Sequence, residues 1–264
     1  MGSEMLREDA RLTARARELL ARAARGCVAY TAFLTPREQL LLTREFAYAR
    51  DACTFAGGYA TAERRRMVFL PEYLTCLSAD EREVLLAAEL SEVLVPLRIQ
   101  GSGYRELSHR DYLGAVLALG IDRDAVGDIA VTDAHSAVLV TDAVLATFLT
   151  ESLTRVGNDA VRVMRTDLPP DFDGGIHFEP VTDTVASPRA DAVVAALLSL
   201  SRERTQALFT EGRVEVDYES LSRYDKELAA GAIISVRGYG KFILRSVSDR
   251  TKKGRYRLVA DRYV

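Results

Sequence analysis

From Ser187 to Val264 the chain carries the opposite charge to everything before it, which constrains it to fold as a basic module joined to an acidic body. That segment holds 15 Lys and Arg against 10 Asp and Glu, a net of +5. The residues before it hold 20 against 28, a net of −8, so the overall formal charge of −3 conceals the division. Arg237–Arg257 concentrates eight basic side chains and one acid, Asp249. Such a surface favours a polyanion, because each phosphate it neutralises releases condensed counterions. Arginine outnumbers lysine 31 to 4, and a planar guanidinium suits bidentate phosphate contacts and stacking on bases.

The length of 264 residues accommodates two or three small domains, and 48% hydrophobic with 28% charged residues is the balance of a globular protein. The longest apolar runs, such as Ala192–Leu198, fall far short of the roughly 20 residues that span a bilayer. No membrane association is expected, and the acidic start MGSEMLREDA predicts no secretory signal. Cys27, Cys53 and Cys76 form no CxxC pair, and His109, His135 and His177 are scattered. No disulfide framework, metal site or cofactor is expected, and a reducing cytoplasm fits best.

The overall class expected is α+β. Glu4–Ala24 reads as an amphipathic helix whose arginines form a solvated face. A second helix starts at Thr35-Pro36-Arg37-Glu38, with Thr35 as N-cap and Glu38 completing a capping box. Met67–Leu70 is a short strand closed by Pro71. These elements make an N-terminal α/β domain over residues 1–79. Residues 80–166 alternate strands and helices: Val84–Leu90 and Leu94–Ile99 as strand candidates that can form one interrupted strand, a helix capped by Ser108, a hairpin about Thr132–His135, a helix over Asp142–Arg155, and the strand Ala160–Arg165. The order β-α-β-β-α-β predicts a ferredoxin-like, RRM-like domain, although the aromatic signature of RNA-stacking sheets is missing. Residues 167–186 carry five acids, no Lys or Arg and three prolines, and read as an acidic linker with one strand near Ile176–Glu179.

In residues 187–264, Arg189–Leu198 and Ser201–Glu211 are two short helices, the second capped by Ser201 and ended by Gly212. Val214–Val216, Ile233–Val236 and Lys241–Val247 are strands. Arg189 and Arg202 stand near the two helix starts, where exposed backbone N–H groups also favour an anion. Asp191 repels phosphate and is expected to orient an arginine by a charge-assisted pair. The competing reading makes Asp191 and Arg202 a purely structural pair. Arg204, Arg213, Arg237, Lys241, Lys252, Lys253 and Arg255 extend the positive surface. Tyr239, between Gly238 and Gly240, either stacks on a base or caps the sheet edge.

Arg189-Ala190-Asp191, Ser201-Arg202, Gly212-Arg213-Val214-Glu215-Val216-Asp217 and Gly231-Ala232-Ile233-Ile234-Ser235-Val236 resemble the S4 (αL-type) RNA-binding domain. Ala190 stands where that pattern has Leu, and Asp217 where it has Asn. The resemblance continues through Phe33–Gln39, Gly57-Gly58-Tyr59 with Ala62-Glu63-Arg64, and Ser108–Gly114. With Leu119-Gly120-Ile121, Gly127-Asp128-Ile129, Thr251–Arg255 and Arg262-Tyr263-Val264 it covers nearly the whole chain and is similar to the bacterial YlmH family. That resemblance implies a cytoplasmic, non-catalytic protein that engages rRNA and tRNA on the large ribosomal subunit. It implies a part in rescue of stalled nascent chains, with ribosome rescue factors as protein partners. Its implied RNA-binding residues are Arg189, Asp191, Ser201, Arg202, Arg204, Arg213, Arg237, Lys241, Lys252, Lys253 and Arg255.

The alternatives are an adaptor linked to cell division and an S4-bearing RNA-modifying enzyme. Ser108-His109-Arg110-Asp111 has the letters of a kinase catalytic loop, but no Asn follows at the needed spacing and no Gly-rich nucleotide loop precedes it. A reciprocal helix cap between Ser108 and Asp111 explains it more simply. No catalytic residues are expected.

Overall fold

The computed structural model describes residues 2–250 and 254–264, with side chains described for residues 4–247 and 254–264. By internal packing the chain divides into two compact units, Met1–Gly175 and Ile176–Val264.

The first unit opens with α1 (Gly2–Ala23), β1 (Ala29–Tyr30) and α2 (Pro36–Glu45). The capping box at Thr35 and Glu38 is formed, with Pro36 in the first turn of α2. A 3-10 segment at Ala47–Ala52 leads to β2 (Cys53–Ala56) and β3 (Arg66–Phe69), then α3 (Glu72–Thr75) and α4 (Ala79–Leu90). The strands pair antiparallel in the order β1-β3-β2. Ala16, Leu19 and Ala23 recur at helical spacing on α1 and bury against Leu42, Phe46, Met67 and Phe69.

The apolar run Val84–Leu90, expected as a strand, lies inside α4. Ser78 and Glu81 form a second capping box there, which closes the first turn and commits the chain to a helix. Leu86 and Leu90 turn towards Val68, Leu70 and Leu74, whereas Val84 and Leu85 stay exposed. A strand reading places alternate residues inside; the burial here follows helical spacing instead.

Next come β4 (Val95–Gly101), α5 (His109–Ala118), β5 (Ile129–Asp133), β6 (Ser136–Thr141), α6 (Ala143–Ser152), β7 (Arg155–Val156) and β8 (Asp159–Arg165). These strands form one antiparallel sheet in the order β5-β6-β4-β8-β7. Leu97, Ile99 and Leu139 are fully buried with Tyr112 and Val116 of α5 and Ala146 and Leu149 of α6. The two-residue strand β7 was not anticipated from the sequence.

The second unit holds β9 (Phe178–Val185), α7 (Ala190–Leu198), α8 (Arg202–Thr210), β10 (Val214–Val216), β11 (Glu219–Ser220), β12 (Ile233–Val236), β13 (Gly240–Arg250) and β14 (Tyr256–Tyr263). Its six strands are antiparallel neighbours in the order β11-β10-β12-β13-β14-β9. Both helices bury one side against it: Val193, Val194, Leu208 and Phe209 share a core with Val214, Ile234, Phe242 and Leu258. Much of the expected linker is therefore sheet, since β9 pairs with β14 along its whole length, Tyr256 opposite Val185 through Tyr263 opposite Phe178. Pro180 is tolerated because β9 is an edge strand, where a missing N–H need not break a ladder. No helix among the described residues is long and apolar enough to cross a membrane.

Candidate nucleic-acid interface

Arg189 is the N-cap residue of α7, and its side chain turns back onto Asp191 two residues along. Nε donates to one carboxylate oxygen at 3.1 Å and Nη2 to the other at 2.9 Å, a bidentate fork. The Asp191 side chain is 10% exposed and the Arg189 side chain 41%, so the acid is the buried anchor and the guanidinium remains open to solvent. Asp191 also accepts from the N–H of Ala192 at 2.9 Å, and the ring of Tyr224 lies 5.9 Å from the guanidinium. Hydrogen bonding to Asp191 raises the pKa of Arg189 above its ordinary value. The partner of Asp191 is thus Arg189; the alternative pairing with Arg202 does not occur.

The start of α7 does not offer its amides to an anion. The N–H of Ala190 donates to the Lys226 carbonyl at 2.8 Å and that of Asp191 to the Tyr224 carbonyl at 2.9 Å. The expectation of a phosphate seat on these N–H groups fails because the 224–226 loop already satisfies them. At α8, Ser201 is the N-cap and its hydroxyl accepts from the N–H of Arg204 at 3.3 Å. Ser201 thereby shapes the helix start, leaving Arg202 and Arg204 exposed on the first turn.

Arg202 and Arg255 line one cleft of about 390 Å³, bounded by Thr184 and Val185 of β9 and by Ala195, Ala196 and Ser199 around the end of α7. Arg255 is steadied by Thr184: Nε donates to its hydroxyl at 2.9 Å and Nη2 to its carbonyl at 2.5 Å. Spacing gave no signal for this contact, because the two residues lie 71 positions apart.

Arg213 differs from a free phosphate donor. Its Nε and Nη2 donate to the Arg237 carbonyl at 3.2 and 2.7 Å, Nη1 approaches Glu211 at 3.4 Å, and Tyr239 lies 5.6 Å from it. It braces the β12–β13 turn, and Tyr239 is held partly buried beside it. Arg237 itself is exposed. Lys241 is half-buried between the rings of Tyr218 and Tyr263, at 5.1 and 4.8 Å. Asp217 serves the turn: with φ of +51° it accepts from the Ile233 N–H at 3.0 Å. Lys252 and Lys253 lie outside the described residues.

In the first unit, two of the motifs hold the backbone in place. Ser108 and Asp111 form the reciprocal cap of α5, and those hydrogen bonds hold the Asp111 carboxyl below its ordinary pKa. Burial, reinforced by nearby Arg123, lowers the pKa of His109. No group of three or more His, Cys, Asp or Glu is placed to hold a metal among the described residues. Asp128 accepts from the N–H groups of Glu63 and Arg64 at 2.5 and 3.0 Å and from the Tyr59 hydroxyl at 3.2 Å. It thereby ties the Gly57–Arg64 loop to the approach of β5.

Residues 94–169 match a family profile described as "Putative RNA-binding domain in YlmH". The "Ribosome-associated protein quality control protein P2" of Bacillus subtilis is 32% identical over 232 residues, covering 88% of this chain and 86% of that protein. A solved structure titled "Cell division protein ylmH from Streptococcus pneumoniae" is 18% identical, with a TM-score of 0.46 over 60% of this chain and 91% of that one. With the B. subtilis relative 32% identical along most of both chains, in addition to the profile over the central sheet, this chain belongs to the YlmH family.

Proposed function

We propose that this protein is a non-catalytic RNA-binding protein of the cytoplasm that engages rRNA and tRNA on the large ribosomal subunit during rescue of stalled nascent chains. The observation that carries the reading is the Arg189 guanidinium, held as an oriented fork by a buried Asp191 and still open to solvent. A preorganised fork loses less conformational freedom when it takes up a phosphate than a free side chain does. The names of the B. subtilis relative and of the profile matched over residues 94–169, which speak of ribosome association and RNA binding, support RNA binding by the chain without pointing to the Arg189 surface.

The second unit, two helices packed on an antiparallel sheet, is read as an S4 (αL-type) module. Its contacting residues would be Arg189, Arg202, Arg204, Arg237 and Arg255, with Lys241, Lys252 and Lys253 extending the surface. Asp191, Ser201 and Arg213 would act by holding backbone or arginine in place. The strand order of the central sheet agrees with an RRM-like reading of β4–β8. Part of one face of that sheet is already covered, since Gly58 sits close against Val140 of β6. RNA engagement is assigned first to the second unit for its exposed arginines, while the central sheet, which carries the RNA-binding profile over residues 94–169, stays a second contact surface.

The test is binding of the full chain to large subunits, and to purified rRNA and tRNA, across a salt series. Comigration with large subunits in a sucrose gradient at low salt, lost at high salt, is expected. Changing Arg189 and Arg202 together to Ala should flatten the slope of log affinity on log salt by about two, one for each phosphate contact removed. An unchanged slope would remove this surface from contention. Copurification with a protein partner after RNase treatment, without RNA binding, would favour the adaptor instead.

A further inference from the structure

A cleft of about 850 Å³ opens on the first unit, between the start of α6 and the 3-10 segment at Arg123–Ala125. Among the described residues four carboxylates line it, Glu92, Asp122, Asp124 and Asp142, and no Lys, Arg or His does. Behind it, the almost fully buried Arg66 reaches Asp142 at 3.6 Å, which leaves the lining with a net negative charge. Large apolar side chains stand exposed around the same opening: Tyr30 at 38%, Phe148 at 42% and Val144 at 84%.

The combination selects an occupant. Nucleic acid is disfavoured, since its phosphates would face the carboxylates at close range and like charges repel. A purely hydrophilic cation would leave Val144 and Phe148 wet, and burying them is where most of the favourable free energy lies. Charge and apolar surface are both matched by a peptide segment carrying Lys or Arg next to a bulky apolar side chain.

We propose that this cleft is a protein-docking site for a cationic amphipathic segment of a partner protein, separate from the RNA surface assigned above. The carboxylates would steer and orient the segment, and Val144 with Phe148 would receive its apolar side chain.

The experiment uses the full chain and two labelled twelve-residue peptides of equal charge, one of Lys and Leu in helical amphipathic spacing, one of Lys and Ser. Fluorescence anisotropy should show the Lys/Leu peptide binding about tenfold more tightly than the Lys/Ser peptide. The pair Val144→Ser with Phe148→Ser should abolish that preference. The pair Asp122→Asn with Asp124→Asn, at exposed positions whose change leaves the core intact, should weaken both peptides and reduce their salt dependence. Circular dichroism confirms the fold of each variant. Equal binding of the two peptides, or wild-type binding by both variants, overturns the proposal. So does a photo-crosslinker at position 144 that captures a labelled uridine oligonucleotide, or a concentration-dependent dimer of the chain that Val144→Ser dissolves.

Discussion

Two parallel N–H···O bonds, 3.1 and 2.9 Å long, join the Arg189 guanidinium to the carboxylate of Asp191 across a single intervening residue. The acid is buried and the base is open, so Asp191 controls where Arg189 points. Asp191→Asn keeps the shape but removes the charge and one of the two acceptors. Affinity for rRNA should fall by about tenfold while the salt slope stays near the wild-type value, because Arg189 remains cationic but loses its orientation. Comparing that slope with the slope of Arg189→Ala separates positioning from direct contact.

Asp128 takes three donors that come from a loop more than sixty residues earlier. Asp128→Ala strands the Glu63 and Arg64 amides and should destabilise the first unit by about 3 kcal/mol in urea unfolding. Tyr59→Phe removes one bond only and should cost about 1 kcal/mol. Equal losses from the two variants would show that the amide contacts contribute nothing.

Gly58 adopts φ of +94°, and a Cβ there would stand 2.9 Å from a methyl of Val140. Backbone strain and overlap act together, so Gly58→Ala should destabilise by about 1–3 kcal/mol. Shortening the neighbour with Val140→Ala should recover the steric part alone, which a double-mutant cycle measures.

Asp9 is clasped by Arg37 through bonds of 2.8 and 2.6 Å, which hold its carboxyl below the ordinary value of 3.8. A depressed folded-state pKa stabilises above the unfolded value and loses that effect as pH falls through the folded one. Asp9→Asn should therefore be less stable than wild type at pH 7, and the two should converge as pH falls through the depressed folded-state value. Denaturant midpoints across that range provide the check.

Burial pushes the Cys53 thiol up to about 11, whereas Cys27 and Cys76 are exposed. At pH 8, iodoacetamide should modify Cys27 and Cys76 well before Cys53, since the thiolate is the nucleophile. Peptide mapping by mass spectrometry reads the order directly.

The starts of α2 and α5 were legible because their signals are local. Thr35 with Glu38 and Ser108 with Asp111 each lie three residues apart, and each closes its own box. Of the candidate site, the residue types and the pairing of Asp191 with an arginine were legible, but not which arginine; the structure pairs it with Arg189. The site's finer assignments were not legible either. The 224–226 loop covers the amides at the start of α7, and the Arg237 carbonyl occupies Arg213; both contacts depend on packing between separated segments. Val84–Leu90 was misread because an apolar run of seven fits a strand or a buried helix equally well until the cap before it is weighed.

Sequence alone determined the charge division at Ser187, which is a matter of composition, and the caps of α2, α5 and α8, which depend on neighbours within one turn. Only tertiary structure decided that residues 178–185 become the outer strand beside β14, that Thr184 holds Arg255, and that Asp128 receives the Gly57–Arg64 loop. Those contacts join groups some 65 to 85 positions apart. A backbone amide or carboxylate bonds equally well to many partners, so the partner is set by where the packed core brings the chain.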